Sequence, residues 1–416
     1  MNCLIAQLDV QGSPIDSALA PNGIRGTSRP IKVCFISPLG YGLYRPESGC
    51  PFGGAEVQFY LLSKALSEDP TFQVSVLTTV SKESGREQHA RLTIIKRKGQ
   101  DRLSRSWGAT RQSVFKILRR YGAAFWEMRD LFREIDADVY LHAGAGVEVG
   151  AYALICRLSR RRFVYVVASS ADLSEANGFM SGPLRWLYPI GLRLAHAVIC
   201  RSREQQDSLR THYGRAGVLI RTGHPSVTQI PGEKSTILWV GRLHPLKQPQ
   251  MFLDLAECLP NERCVMVAMR DGSYESLLQN VRKRAAALPN VTVHEDVPWR
   301  EIDQFFAQAK LFVNTSTYEG FPNTFVQAAM HRIPILSWAV DPDGVLASHG
   351  IGTCAAGSFD RLVASAEQLC SSDALRAELG HRALVYAREH HDLARSVDEL
   401  KVLVRTLARQ REGMEA

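Results

Sequence analysis

The sequence lacks the features that would assign it to a membrane-spanning, secreted or zinc-binding class. Its longest apolar runs, such as 163–168 and 195–200, are strand-sized, whereas a membrane-spanning helix needs about 20 apolar residues. The N-terminus has no basic start and carries Asp9, so it does not resemble a secretory signal. The 9 cysteines form no Cys-x-x-Cys pair and no Cys/His cluster at zinc spacing. We therefore expect a cytoplasmic protein in which most cysteines are small buried apolar residues.

Length and charge indicate two unlike halves. A chain of 416 residues is too long for one comfortable core. The formal net charge is +8, yet the chain through Gly217 carries 29 Lys and Arg against 19 Asp and Glu, and the remainder carries 21 against 23. A basic half beside a nearly neutral half suggests that the first half faces something anionic, either nucleic acid or an anionic membrane surface.

Strand-like and helical segments alternate in both halves. The alternation restarts after a turn-rich linker at 222–235, and a final helical stretch runs from Leu375 to about Arg411. Strands are predicted at 31–38, 73–79, 138–143, 162–168, 197–202, 236–241, 263–268, 291–294, 310–315 and 333–338. Such alternation is typical of parallel sheets wrapped by helices.

We therefore predict an α/β fold of two Rossmann-like, doubly wound parallel-sheet domains that face each other across a cleft. The domains span 31–220 and 221–395, after a loose leader at 1–30. A C-terminal helix at 396–416 is expected to pack back toward the N-terminal domain. Ligands of such sheets bind at the carboxyl ends of the strands, so polar residues that follow the strands are the candidates for a site.

Two cations follow the first strand predicted in the second half. That strand ends at Gly241, Arg242 stands at its carboxyl end, and Lys247 lies one short loop later at a predicted helix start. Two permanent positive charges beside a helix N-terminus suit a pyrophosphate. Either residue taken alone is better explained as a solvated surface group.

A second cluster follows the strand predicted at 310–315. Glu319 lies at the tip of that strand, Gly320 permits a tight turn, and Pro322 suits a first helical position. The alternative for Glu319 is a solvated turn carboxylate. Otherwise we expect it to accept hydrogen bonds from sugar hydroxyls.

The helix predicted after Pro322 brings further donors to the same place. The free amides of Asn323 and Thr324 would point into the cleft, as at other helix N-termini that bind anions. Gln327, further along this helix, can bind ribose hydroxyls, or it is an exposed polar helix residue.

Together these stretches resemble the donor site of glycosyltransferase family 4, whose members have the two-Rossmann-domain fold called GT-B. The resemblance spans roughly residues 31–410. It is most specific in Gly-Arg-Leu…Lys at 241–247 and in Glu-Gly-Phe-Pro-Asn-Thr at 319–324. Gly-Gly-Ala-Glu at 53–56 and Ser-Arg-Glu at 202–204 are similar to the family's glycine-rich loop and a recurrent strand-end motif.

The resemblance implies roles for these residues. Arg242 and Lys247 would grip the donor diphosphate and Glu319 would touch the sugar, so these three form the expected catalytic set. The glycine-rich loop would approach donor and acceptor from across the cleft, which makes 31–220 the acceptor side and 221–395 the donor domain. The other residues expected to bind the donor are Gly53, Gly54, Gly241, Gly320, Phe321, Pro322, Asn323, Thr324 and Gln327.

The sequence departs from the family pattern at the ribose-binding position. The family usually has a second Glu eight positions after the first, where this chain has Gln327. Gln keeps the hydrogen bonds but loses the charge, so we expect weaker donor affinity or an altered base preference. Gln also argues against a glycosidase, which usually needs two ionisable carboxyls.

A second departure concerns a histidine that many family members place after a mid-domain strand. The matching stretch offers Ser169, Ser170 and Asp172 instead. His142, at another strand end, is the nearest substitute, although a lone histidine is more often structural.

The cations have a consequence for the reaction expected from the resemblance. Negative charge grows on the departing diphosphate, and Arg242, Lys247 and helix amides would stabilise it. No predicted strand ends in an Asp-x-Asp pair, so we expect no metal, and no cofactor beyond a donor of UDP or GDP type. By resemblance the anomeric configuration is retained, with the diphosphate helping to deprotonate the acceptor.

A basic span in the first half leaves two interpretations open. Arg86–Arg133 holds 13 basic and 4 acidic side chains, and aromatic and basic residues interleave over 108–132. The latter is either an amphipathic helix resting on anionic lipid, which suits a lipid-linked acceptor, or a core helix with a solvated basic face. No nucleic-acid reading motif accompanies it, so we expect no nucleic-acid partner.

The resemblance thus implies a hexosyltransferase that moves a sugar from a nucleotide-diphosphate donor to a glycan or lipid-linked acceptor, in bacterial surface polysaccharide biosynthesis. We expect it in the cytoplasm, or peripheral on the inner face of the membrane. The alternative is a catalytically impaired GT-B scaffold or partner subunit of a glycan-assembly complex, which Gln327 and the missing histidine motivate. A nucleotide-dependent oxidoreductase would need a Gly-x-Gly-x-x-Gly after its first strand, and this chain has none there.

Overall fold

The computed structural model of the protein describes residues 29–80, 84–99, 114–174, 184–227 and 233–412. Two sheets lie in these ranges, one in each half of the chain. Helices cover both faces of each sheet, with one apolar cluster beneath each helical layer. The predicted α/β class with two parallel-sheet domains is confirmed.

The N-terminal sheet is parallel except for one edge strand. Its strands are β1 (Ile31–Ile36), β2 (Phe72–Val80), β3 (Gly85–His89), β4 (Leu92–Lys98), β5 (Val139–Ala143), β6 (Arg162–Val166), β7 (Ala197–Cys200) and β8 (Val218–Leu219). They lie in the order β3-β4-β2-β1-β5-β6-β7-β8, and β3 pairs antiparallel with β4. The hairpin of β3 and β4 is not among the predicted strands, and its exposed edge carries charged residues.

In the described ranges, six α-helices lie between these strands. They are α1 (Tyr41–Tyr44), α2 (Gly54–Ser67), α3 (Val114–Ile135), α4 (Glu148–Leu158), α5 (Leu187–Leu194) and α6 (Arg203–Tyr213). One face of the sheet packs on α3, α4 and α5, and the opposite face packs on α2. The helices therefore complete both hydrophobic faces that a parallel sheet must bury.

The C-terminal sheet is parallel throughout. Its strands are β9 (Thr236–Arg242), β10 (Arg263–Met269), β11 (Val291–Glu295), β12 (Ala309–Asn314), β13 (Ile335–Ser337) and β14 (Gly352–Cys354), in the order β11-β10-β9-β12-β13-β14. The helices that follow are α7 (Pro249–Cys258), α8 (Glu275–Ala286), α9 (Asp303–Gln308), α10 (Asn323–Met330), α11 (Val345–Ser348), α12 (Phe359–Ser371), α13 (Asp373–His390) and α14 (Leu393–Glu412). The single final helical stretch expected from the sequence is two helices, because residues 391–392 are not helical and separate α13 from α14.

The last helix, α14, belongs to the N-terminal core. Its apolar residues join the cluster beneath β1, on the same face as α2. Asp69, just before β2, forms ion pairs at 3.2 Å with Lys401 and with Arg405 of α14. Burial raises the pKa of Asp69, but hydrogen bonds from Thr71 and Lys401 outweigh it and hold the pKa at about 2.

Strand order reverses once in the C-terminal sheet, between β9 and β12. The chain winds from β9 outward through β10 to β11, then returns to β12 on the other side. The loops after β9 and β12 therefore diverge and leave a crevice at the carboxyl ends of these two strands, where ligands of such sheets bind. Among the described helices, none is both long and apolar enough to cross a membrane.

Candidate active site

A cavity of about 390 Å³ lies between the two domains, at the carboxyl ends of both sheets. The N-terminal domain contributes the start of α2 and the segments after β5, β6 and β7, and the C-terminal domain contributes the segments after β9 and β12. The structure brings every residue of the predicted site to this cavity. These residues are Gly53, Gly54, Gly241, Arg242, Lys247, Glu319, Gly320, Phe321, Pro322, Asn323, Thr324 and Gln327.

Lys247 and Glu319 meet at the point where strand order reverses. Lys247 ends a short 3-10 turn after β9, and Glu319 lies in the segment after β12. The Lys247 ammonium forms an ion pair with the Glu319 carboxylate, which also accepts a hydrogen bond from Ser316 Oγ at 2.7 Å. Both side chains are partly open to the cavity, since 31% of Lys247 and 15% of Glu319 is exposed. The pair is therefore available to a ligand.

Hydrogen bonds hold the segments after β9 and β12 together. Thr315 Oγ1 donates to the carbonyl of Lys247 at 2.6 Å, and Thr317 N–H donates to the carbonyl of Leu246 at 2.9 Å. The buried indole of Trp239 donates to Thr315 Oγ1 at 2.9 Å. These contacts fix Lys247 before any ligand arrives, as electrostatic stabilisation of a reaction requires.

Arg242 ends β9 and lies opposite the glycine-rich loop of the other domain. Its Nε is 3.6 Å from a carboxylate oxygen of Asp271. A Cβ placed on Gly53 would lie 3.8 Å from the Arg242 guanidinium and 2.9 Å from Glu56 Oε2. Gly53 N–H donates to the same Glu56 oxygen at 3.0 Å, which caps α2. The absent side chain at Gly53 thus leaves room for the Glu56 cap, which lies at the start of α2 beside the guanidinium.

Gly320 is required for space and has no positive φ. A Cβ placed on it would lie 2.7 Å from the carbonyl oxygen of Ala168 in the N-terminal domain. Gly54 makes a similar approach, because Asn323 Nδ2 donates to its carbonyl at 2.7 Å. The chain bends at Gly320 without a positive φ, so close contact between the domains is what requires a glycine there.

The helix after Glu319 begins one residue later than expected. Pro322 precedes α10 as its N-cap, and the first helical residue is Asn323. The first-turn amides of Asn323 and Thr324 still lack partners within the helix. Gln327 is 2% exposed, so the alternative of an exposed helix residue is wrong. Its Nε2 makes no hydrogen bond to the described protein.

The structure does not bring His142 to the cavity. The ring is buried, its Nδ1 lies 3.4 Å from the carbonyl oxygen of Ile36, and its edge packs against Tyr152. Asp172 is also buried and accepts hydrogen bonds from the N–H groups of Ala168 and Ser169 at 3.0 and 3.1 Å. Burial raises the pKa of Asp172 to about 6 despite these bonds. Asp172 thus shapes the segment after β6.

Several cavity residues were missed from the sequence. Arg201, Thr222 and Trp299 line the cavity beside the predicted set. Arg201 directly precedes the Ser-Arg-Glu segment at the end of β7, which is the only signal that pointed to it. The described residues contain no group of three His, Cys, Asp or Glu side chains placed to hold a metal ion.

Each half of the chain matches a model of a glycosyltransferase family. The model described as "Glycosyltransferase Family 4" matches residues 52–226, and the model described as "Glycosyl transferases group 1" matches residues 221–385. No curated protein is similar enough in sequence to count as a match.

Solved structures share the whole architecture. Sucrose-phosphate synthase from Thermosynechococcus elongatus superposes with a TM-score of 0.69 at 15% identity, covering 91% of this chain and 99% of that one. Alr3699/HepE from Anabaena, in complex with UDP and glucose, superposes with a TM-score of 0.66 at 17% identity, covering 90% and 99%. The N-terminal domain of Candida albicans trehalose-6-phosphate phosphatase gives 0.68 at 10% identity, covering 93% and 98%. At these identities the similarity establishes the two-domain fold.

Proposed function

Since the chain belongs to the GT-B glycosyltransferases of the family 4 type, we propose that Arg242, Lys247 and the start of α10 bind the diphosphate of its nucleotide-sugar donor. One observation carries this assignment. Two cations and a set of free helix amides converge on one cavity from the two strands between which strand order reverses.

The same groups would lower the barrier to sugar transfer. The reaction breaks the bond between the anomeric carbon and the phosphate oxygen, so negative charge grows on the departing diphosphate. Fixed donors aimed at that charge stabilise the transition state more than the ground state, and each is typically worth about 3–4 kcal/mol. Glu319 would accept hydrogen bonds from sugar hydroxyls through its carboxylate, which Lys247 and Ser316 hold in place.

We propose a metal-independent, retaining reaction. Arg242 and Lys247 supply two positive charges where a metal ion would otherwise neutralise the leaving group. Retention follows from the family resemblance, with the departing diphosphate helping to deprotonate the acceptor hydroxyl. The donor is a UDP sugar in this proposal, which the complex of Alr3699/HepE with UDP and glucose supports by analogy.

The acceptor that we propose is a growing glycan or a lipid-linked glycan of a bacterial surface polysaccharide. Exposed apolar and basic side chains on the N-terminal domain support work at an anionic membrane surface. Trp126 of α3 is 56% exposed with the Arg129 guanidinium 4.8 Å from its ring, and Leu158 of α4 is 69% exposed. Trp186, just before α5, is 52% exposed. The side chains of 114–121, in the first part of the predicted lipid-binding helix, lie outside the described residues.

Vesicle sedimentation tests the membrane proposal. Binding to anionic vesicles and none to zwitterionic vesicles is expected, with a loss of binding in a Trp126→Ala/Trp186→Ala double variant. Val402→Ala is the matched control, because Val402 is 65% exposed on α14 at the surface of the same domain. Equal binding by the double variant and the parent protein would refute this surface.

Calorimetry with nucleotides tests the donor assignment. When UDP, GDP and their sugars are titrated, we expect the protein to bind one of the two nucleotide types, and Arg242→Gln should bind it more weakly. Turnover of the bound nucleotide sugar in the presence of glycan acceptors then separates the enzyme from its alternative, an impaired scaffold. Donor binding without turnover across a panel of acceptors would favour the scaffold, which Gln327 and the lack of a histidine in the cavity lining of the described residues motivate.

A further inference from the structure

Arg201 is a buried arginine that lines the cavity from the N-terminal side and has no part in the diphosphate site. It follows β7, directly before Ser202, whose hydroxyl caps α6. Arg201 is only 5% exposed. It lies at the carboxyl end of β7 in the N-terminal domain, whereas Arg242 and Lys247 belong to the other domain.

The positive charge of Arg201 has no carboxylate partner among the described residues. Its Nη1 donates to the carbonyls of Ile220 and Arg221 at 3.0 and 3.5 Å. Nε and Nη2 donate to no group in the described part of the chain, and neither is sealed from solvent. By contrast, Arg242 and Lys247 each lie beside a carboxylate, so Arg201 is the cation of the described cavity lining that has none.

A buried cation without a counter-charge is costly to keep. Burial lowers the pKa of Arg201 to about 10, which leaves the side chain charged at neutral pH. A neutral amide side chain could donate to these two carbonyls as well, so the guanidinium calls for a partner that the free protein does not supply. The two nitrogens left over form the planar fork that matches a carboxylate or a phosphate.

Contacts place Arg201 behind the turn that follows Glu319. Arg201 N–H donates to Gln205 Oε1 at 2.8 Å, and Gln205 Nε2 lies 2.9 Å from a Cβ placed on Gly320. Next to the carbonyls that Arg201 binds, Thr222 Oγ1 donates to the carbonyl of Phe321 at 3.3 Å. The guanidinium therefore sits by the segment assigned above to the sugar.

We propose that Arg201 binds a carboxylate or phosphate substituent on one of the two sugars that meet in the cavity. The protein is thus selective for an acidic sugar, carried either by the donor, as in a uronic acid, or by the acceptor, as in a sugar phosphate. This inference rests on the proposed function, because the sugar position is taken from it.

Two pairs of ligands distinguish the sources in the full-length protein. The first pair is UDP-glucuronic acid and UDP-glucose, titrated by calorimetry. The second pair is glucose 6-phosphate and glucose, titrated into protein saturated with UDP. In one of the pairs the anionic member should bind about ten- to a hundredfold more tightly, as expected for hydrogen bonds to a charged partner. No preference in either pair overturns the proposal, whatever the variants do.

Substitutions test whether Arg201 causes the preference. Arg201→Gln should bring the anionic ligand to within about threefold of the neutral one, while Arg201→Lys, which keeps the charge but loses the fork, retains part of it. Arg221→Gln is the matched control, because Arg221 pairs with Asp343 at 3.4 Å and does not line the cavity. If Arg201→Gln still prefers the anionic ligand, the proposal is overturned, and the role of Arg201 is only to hydrogen-bond two backbone carbonyls.

Binding of UDP alone separates this inference from the proposed function. UDP should bind to Arg201→Gln as it does to the parent protein, because its diphosphate contacts lie in the other domain. If neither UDP nor GDP binds the parent protein, the proposed function fails. If UDP binds and no acidic sugar is preferred, only the assignment of Arg201 fails.

Discussion

Replacing Lys247 with Met is expected to do more harm than the loss of one cation. The Met side chain has a similar length and no charge, so the Glu319 carboxylate loses its ion-pair partner but stays at the cavity with its hydrogen bond from Ser316. A donor diphosphate would then face an unpaired negative charge at the place where it now finds a positive one.

Two contributions set the size of this effect. The lost electrostatic donor should cost about 3–4 kcal/mol in the transition state, or roughly a hundred- to thousandfold in kcat/KM. Two like charges about 4 Å apart at an effective dielectric constant of about 20 repel by about 4 kcal/mol at most, and solvent reduces this because the Lys247–Glu319 pair is partly exposed. We therefore expect UDP affinity to fall by at least about tenfold in Lys247→Met.

The double variant Lys247→Met/Glu319→Gln separates the two contributions. Removing the carboxylate should restore part of the UDP affinity, whereas kcat should stay low because the cation is still missing. UDP titration and kcat/KM of the four proteins in this cycle measure the coupling. Lys310→Met is the control, since Lys310 forms an ion pair with Glu262 at 2.5 Å and neither residue lines the cavity. Unchanged UDP affinity in Lys247→Met, or no recovery in the double variant, would refute the reasoning.

Two further substitutions test the contacts that hold the domains in place. Gly320→Ala puts a methyl group 2.7 Å from the Ala168 carbonyl of the other domain, which should cause a strain of about 1–3 kcal/mol and lower kcat/KM about tenfold. Gly122→Ala is the control and should leave kcat/KM unchanged, because no atom lies within 4 Å of a Cβ placed on Gly122. Asp69→Asn should lower the free energy of unfolding by about 1–2 kcal/mol at pH 7. Because the pKa of Asp69 is depressed to about 2, the difference in unfolding free energy between Asp69→Asn and the parent protein should shrink as pH falls from about 4 toward 2. Denaturant titrations measure this difference, and the control Asp398→Asn, at an exposed position, should show no such difference. A pH-independent difference would contradict this explanation.

The strands around the cavity could be predicted because their signals are local. An apolar run such as 236–241 followed by Arg242, and the polar residues that follow 310–315, place the chemistry at strand ends without knowledge of the tertiary structure. The alternation of strands and helices then indicates parallel sheets, and parallel sheets present their strand ends on one edge.

The features that escaped prediction depend on contacts between distant segments. Arg201 is one of 50 Lys and Arg residues, and only the folded domain shows that it is buried at the cavity without a counter-charge. Gly320 needs its lack of a side chain because of the Ala168 carbonyl, some 150 residues earlier in the chain. Such close approaches between domains leave no trace in local periodicity.

The position of α14 also bears on the order in which the protein matures. Val397, Leu400 and Val404 join α2 in the apolar cluster beneath β1, so part of one face of the first sheet stays uncovered until the chain beyond residue 390 has been made. Nascent domains usually fold in the order of their synthesis. Here the second domain holds all its own layers by residue 390 and can mature first, while the earlier one waits for a segment that is translated after the second domain.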